Sequence, residues 1–188
     1  MNEVIKALME RRSIRKYKAD PVDEKDLELI LKAATYAPSA RGTQAWHITA
    51  IVNPGAIEEL NRSAKKAVQK EGFDQYKDMV GQSSYSINFH TAPVFIIVTV
   101  DGSKSLCPHE DGSLVLSNIF LAAHSLGLGA CWVNQLKFIA EESEFRQVLS
   151  GLGVPAANKL VGCAVLGHPA VDNPSAPSRR EGLINIVK

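Results

Sequence analysis

Between Arg11 and Tyr17 the chain reads RRSIRKY, four cations packed around one serine and one isoleucine. Like charges this dense repel one another unless they reach solvent or an anion, so the run is either a solvated helix end or an anion site. In an extended conformation Arg11, Ser13 and Arg15 point to one side while Arg12 and Ile14 point to the other. Two guanidiniums and a hydroxyl then converge where a phosphate could sit. A second basic pair, Arg179 and Arg180 behind Ser178, lies in a Pro-rich C-terminal stretch and could close on the same anion. Taken alone, a charge run favours the solvated end. The serine set between two arginines is what moves the balance toward a ligand.

Other residue groups carry weaker chemistry. Cys107, His109, Glu110 and Asp111 cluster like metal ligands, but no second Cys or His pair at zinc spacing accompanies them. Pro108 and Gly112 place the group in a loop ahead of a helix, whose positive end attracts acids, so no metal is expected. GLGVPA, Gly151 to Ala156, fits G-x-G-x-x-A, yet a helical pattern precedes it and Pro155 breaks the next turn. The strand, turn and helix of a dinucleotide site are therefore missing. No serine lies in G-x-S-x-G, and His47 and His124 sit in apolar periodic segments where histidines are usually packed.

The elements that must position these residues follow from hydrophobic periodicity. Val4, Ile5, Leu8 and Met9 recur with helical period and stop at the basic run, which places the run just after a helix C-terminus. Asp23 can cap a second helix with Leu27, Ile30, Leu31 and Ala34 inward, ended by Pro38. AWHITAIV reads as a strand, and Asn53 followed by Pro54 opens a helix to about Lys70. After a polar, weakly patterned stretch, APVFIIVTV from Ala92 to Val100 is a continuous β-branched run, as in a strand buried on both faces. GSLVLSNIFLAAHSLGLG is apolar nearly all round, as a central helix would be, and LGLGA reads as its C-cap. ACWV and LVGCAVLG are further strands, a short helix lies around Glu141 to Leu149, and LINIV is a last strand-like piece. The mixture without a strict repeat favours an α+β layered domain.

With 188 residues and 45% hydrophobic content, one domain over residues 1–188 is expected. The net charge of +1 recruits neither nucleic acid nor an anionic membrane, so any basic site must be local. The start, MNEVIKALMERR, has charges inside its apolar pattern, unlike a signal peptide. No stretch approaches the roughly 20 apolar residues that span a bilayer, so a cytoplasmic protein is expected. Cys107, Cys131 and Cys163 are odd in number and far apart, which suits reduced thiols.

Four segments in this order, RRSIRKY after a short helix, APSARGTQAWHI, SNIFLAAHSLGLGACWV and PSRR, resemble the FMN-dependent nitroreductase family, in its compact, short-chain branch. The resemblance covers essentially the whole chain. It implies a nitroreductase-like α+β fold, a central mixed sheet flanked by helices, in an intertwined homodimer with FMN at the subunit interface. It further implies a C-terminal arm, about residues 170–188, that reaches the partner. By the same resemblance Arg11, Arg12, Ser13 and Arg15 hold the phosphate, ribityl chain and pyrimidine edge of FMN. Pro38, Ser39 and Ala40 approach the flavin from the partner subunit, Trp132, Val133 and Asn134 lie against the ring, and Arg179 binds phosphate. The implied activity is ping-pong: NADH or NADPH delivers hydride to flavin N5 and departs, and an electron-poor acceptor such as a nitroaromatic or quinone takes its place. The alternatives are a specialised flavin enzyme for dehalogenation, dehydrogenation or flavin breakdown, and a flavin-binding regulatory module with little turnover. Gly42 and Ala45 stand where many members have Asn and Pro, Pro177 stands where many have Lys, and Arg41 is an added cation. These departures leave the electron acceptor and the choice between NADH and NADPH open.

Overall fold

A computed structural model of the chain describes residues 1–74, 76, 86–87 and 92–188. The polar stretch after Lys70 falls largely outside them. Asn2 caps α1 (Glu3–Glu10), its side chain accepting from the Ile5 N–H, and Asp23 caps α2 (Glu24–Ala34) by accepting from the Lys25 N–H. A short 3₁₀ turn (Ala40–Gly42) leads to β1 (Trp46–Ile51). Asn53 then caps α3 (Pro54–Ala67), with Pro54 at the first helical position where its missing N–H costs nothing. β2 (Val94–Val100) is buried at every position. α4 (Pro108–Ser125), β3 (Gly129–Val133), α5 (Ser143–Gly151) and β4 (Lys159–Gly167) follow.

The strands pair in the order β1-β2-β4-β3, each neighbour antiparallel, with Ile97 opposite Cys163 and Cys131 opposite Val165. Among the described residues the parallel component of this sheet is one bridge, Ser13 to Ala130, which attaches the basic run to the outer edge of β3. Period-two alternation divides the core between the two faces. Phe95, Ile97, Cys131, Val133 and Val165 pack with Leu60 of α3 and Phe145 of α5, whereas Val94, Ile96, Val98 and Ala164 pack with Ile30 of α2 and Leu116 and Ile119 of α4.

Two expectations are corrected. Pro108 to Gly112 is no loop but the first turn of α4, since Pro108 takes the first helical position. Gly112 is buried there because a Cβ would stand 2.6 Å from Val161 Cγ2, so glycine permits close helix-to-sheet contact. The strand-like pattern of LINIV forms no strand among the described residues, and Ile184, Ile186 and Val187 are exposed. Among the described residues no helix is long and apolar enough to cross a membrane.

Candidate functional site

α1 ends where the basic run begins. Arg11 leaves helical conformation (ψ 132°) while its N–H still bonds the Ala7 carbonyl. The run then lies along β3: the Ile14 N–H donates to the Ala130 carbonyl at 3.0 Å, and the Lys18 N–H donates to the His168 carbonyl at 2.9 Å beyond the end of β4. Ile14 and Tyr17 are the buried anchors. Gly129 makes the close approach possible, since a Cβ there would meet Ile14 Cγ2 at 2.8 Å. The Tyr17 hydroxyl donates to the Ile14 carbonyl, and burial pushes its pKa up, so it remains a neutral structural donor.

Pinned in this way, the run keeps Ile14 and Tyr17 buried and leaves Arg15 and Lys16 exposed. Burial raises the pKa of the Cys131 thiol, and the Arg15 charge, a hydrogen bond with Ser13 and the Arg11 charge all counteract it. Arg11, Ser13 and Arg15 thus all act on the Cys131 thiol, and Arg11 also shares a cavity with Arg12 and Ile14. Arg12 stays close to Arg11. Its guanidinium donates to the Arg11 carbonyl at 2.6 Å, and its Nε is buried with no partner among the described residues. Arg11 and Arg12 line a cavity of about 210 Å³ together with His124, Ala130 and Asn173.

Aromatic rings adjoin the cations. The Arg11 guanidinium lies 6.0 Å from the Phe120 ring centroid, and Phe120 and Trp132 are 6.1 Å apart at 49°. These three residues line a second cavity of about 380 Å³ with Leu8 and Ser117. Trp132 has room because Gly162 faces it, where a Cβ would stand 2.6 Å from Trp132 Cζ2. The indole N–H points to Asn134 Oδ1 at 3.3 Å, and Val133 is buried. Phe120 was not singled out by sequence. Its only signal was a large aromatic in a helix otherwise rich in small and aliphatic residues.

The loop after α2 is held from a different side. The Ala40 N–H donates to Asp111 Oδ1 at 2.9 Å, the Ser105 hydroxyl donates to Asp111 Oδ2 at 2.6 Å, and the Gln44 N–H donates to Ser39 Oγ at 3.0 Å. Asp111 is 2% exposed, so this expected helix-end acid is instead the buried anchor of the loop. Pro38 remains exposed. Asp111 and Phe120 lie nine residues apart on α4, about 13 Å along its axis, so within one protomer Pro38, Ser39 and Ala40 stand away from the basic run. Arg179 is separate as well. Every residue from Val171 onward is exposed, and the Arg179 guanidinium donates to the Pro177 carbonyl at 3.0 Å. The start of the arm is tied to the site, since Asn173 Nδ2 donates to the Glu10 carbonyl at 2.9 Å.

This arrangement can bind an anion and a flat ring together. Cations with a serine hydroxyl suit a phosphate monoester, and the indole and phenyl rings suit an aromatic system beside it. Acid–base chemistry by the chain itself has little support here, because burial holds both Cys131 and Tyr17 in their protonated forms.

Residues 8–168 match the model of the nitroreductase family. A protein of Methanothermobacter thermautotrophicus with the provisional name NADH dehydrogenase/NAD(P)H nitroreductase is 32% identical over 175 residues, 92% of this chain and 80% of the relative. An FMN reductase [NAD(P)H] of Bacillus subtilis is 26% identical over 207 residues, covering 98% and 73%. The crystal structure of a nitroreductase with bound FMN from Bacteroides fragilis superposes with a TM-score of 0.93 at 35% identity, over the whole of both chains.

Proposed function

The chain belongs to the nitroreductase family, and on that premise we propose that it is an FMN-dependent oxidoreductase that uses NADH or NADPH to reduce an electron-poor acceptor such as a nitroaromatic or quinone. The observation that carries this reading is a run of arginines around Ser13 pinned to the edge of β3, with Arg11 over the Phe120 ring and beside Trp132. The unpartnered Nε of Arg12 and the cavity it shares with Arg11 support the fit of a phosphate.

In this reading Arg11, Arg12 and Ser13 hold the FMN phosphate and ribityl chain, and Arg15 holds the pyrimidine edge. Trp132, Val133 and Asn134 lie against the ring, with the indole fixed by Asn134 and by the space at Gly162. The chemistry FMN supplies when bound is two-electron transfer from a nicotinamide to a second substrate in the same cavity. The chain supplies position and electrostatics, and water serves for the protons.

A second copy completes the site. Pro38, Ser39 and Ala40 are too far along α4 to meet a flavin on their own basic run, so they serve the partner's, and the exposed arm carries Arg179 across to a partner phosphate. An apolar groove of about 480 Å³, lined by Val4, Leu29, Leu121 and Leu126, supports a homodimer in which the partner covers α1 and α2. The proposed compartment is the cytoplasm, with the three cysteines as thiols.

The test is direct. Purified protein should be yellow and should bleach on anaerobic addition of NADH or NADPH. A yellow protein that neither reduces is a flavin-binding module, and a colourless one that ignores added FMN overturns the proposal.

A further inference from the structure

The loop that carries Pro38, Ser39 and Ala40 has an unusual backbone. Arg41 has φ +54° and Gln44 φ +49°, a left-handed conformation that favours glycine or asparagine. The strain is sustained from both sides of Arg41. The buried Asp111 carboxylate holds the Ala40 N–H, and Ser39 Oγ holds the Gln44 N–H. A residue kept in this conformation by its surroundings points to a role for its side chain. That side chain is exposed and, among the described residues, has no hydrogen-bond or ion-pair partner. Gly42, with φ +66°, follows without a side chain, and between Ser39 and Gln44 Arg41 carries the charge.

We propose that Arg41 is a specificity-determining residue that recognises a negatively charged substituent on the molecule occupying the acceptor cavity. The inference rests on the reading that Pro38–Ala40 lies over the partner's flavin, which puts the next residue at the rim of that cavity. A guanidinium fork matches a carboxylate, sulfonate or phosphate in bidentate fashion, and neutral isosteres of these groups gain nothing from it. The anion has two sources, an acidic group on the electron acceptor or the 2′-phosphate of NADPH.

The experiment uses the FMN-loaded protein, Arg41→Gly and Arg41→Lys. Glycine suits the left-handed conformation, so Arg41→Gly is expected to fold at least as well as the parent. Benzoate and benzamide, alike in shape and different in charge, are titrated against the oxidised protein and read through the flavin absorption spectrum. Anaerobic reduction rates with NADH and NADPH are measured beside them. The expected result is a fall of about tenfold in the benzoate to benzamide affinity ratio in Arg41→Gly, with part of it restored in Arg41→Lys. A comparable fall confined to the NADPH to NADH ratio assigns the anion to the 2′-phosphate. Both ratios unchanged in Arg41→Gly overturn the inference while leaving the flavin reading in place. A protein that takes up no FMN overturns both.

Discussion

Arg11 and Arg15 are the same residue type four positions apart, yet they are expected to do separable work. Arg11 belongs to both cavities beside the run and lies over Phe120, so Arg11→Ala should weaken FMN binding roughly tenfold or more, as expected for one charge-assisted hydrogen bond. Titration of the apoprotein with FMN checks this. In the proposed binding mode Arg15 holds the pyrimidine edge, where two-electron reduction at neutral pH leaves negative charge, and a fixed cation stabilises that form. Arg15→Met keeps much of the stem and removes the charge, so the flavin potential should fall by roughly 20–45 mV, equivalent to about 1–2 kcal/mol for a two-electron couple. Spectroelectrochemistry against a reference dye measures it. Release of FMN at an unchanged potential makes Arg15 a phosphate ligand instead. At this scale the exit of the basic run from α1 was legible, because the helical period of Val4, Ile5, Leu8 and Met9 stops there. Asp111 was not legible as a loop anchor: its partners Ala40 and Ser105 come together only through packing.

α3 and α5 are joined across the surface by Lys70, which reaches Glu142 at 2.6 Å and Glu144 at 2.8 Å, and by Lys66 on Glu144. Glu142 also caps α5, accepting from the Glu144 and Phe145 N–H groups. Burial opposes its ionisation, but the Lys70 ammonium and those N–H groups outweigh burial and bring the carboxyl down to about 2. A carboxylate depressed by folding contributes stability that is present above its ordinary value and lost as pH falls toward the folded one. Chemical denaturation should therefore show Glu142→Gln less stable than the parent at pH 7, with the gap closing as pH falls from about 4 toward 2. A gap independent of pH makes the residue a neutral cap. The helix starts at Asp23 and Asn53 were legible because capping is local. The start of α4 was not, since Pro108 and Gly112 suit a loop as well as a helix, and only the contact with Val161 distinguishes them.

At the scale of the molecule, α1 buries none of its residues, and Val4, Leu8, Leu29, Ile184 and Ile186 leave large apolar side chains in water. The proposed occupant is a second copy, which would also bring Pro38–Ala40 and Arg179 to the site. Sedimentation equilibrium should show a homodimer, and truncation before Gly182 should loosen it by removing the apolar end of the arm. A folded FMN-bound monomer overturns this assembly. The α+β class and the two central strands were legible from the mixture of patterns and from the uninterrupted run of Val94–Val100. The antiparallel order β1-β2-β4-β3 was not, because strand pairing joins segments whose periodicity says nothing about their neighbours.

The Ser13–Ala130 bridge joins two pieces of chain more than a hundred residues apart. Closing so long a loop is entropically expensive, and the edge it closes onto exists only once β3 has docked on β4. The basic run is then expected to settle late in folding and to be among the first segments to peel away. A ligand held there should act chiefly as a brake on unfolding, so unfolding should be slower in the FMN-loaded protein than in the apoprotein while refolding changes little.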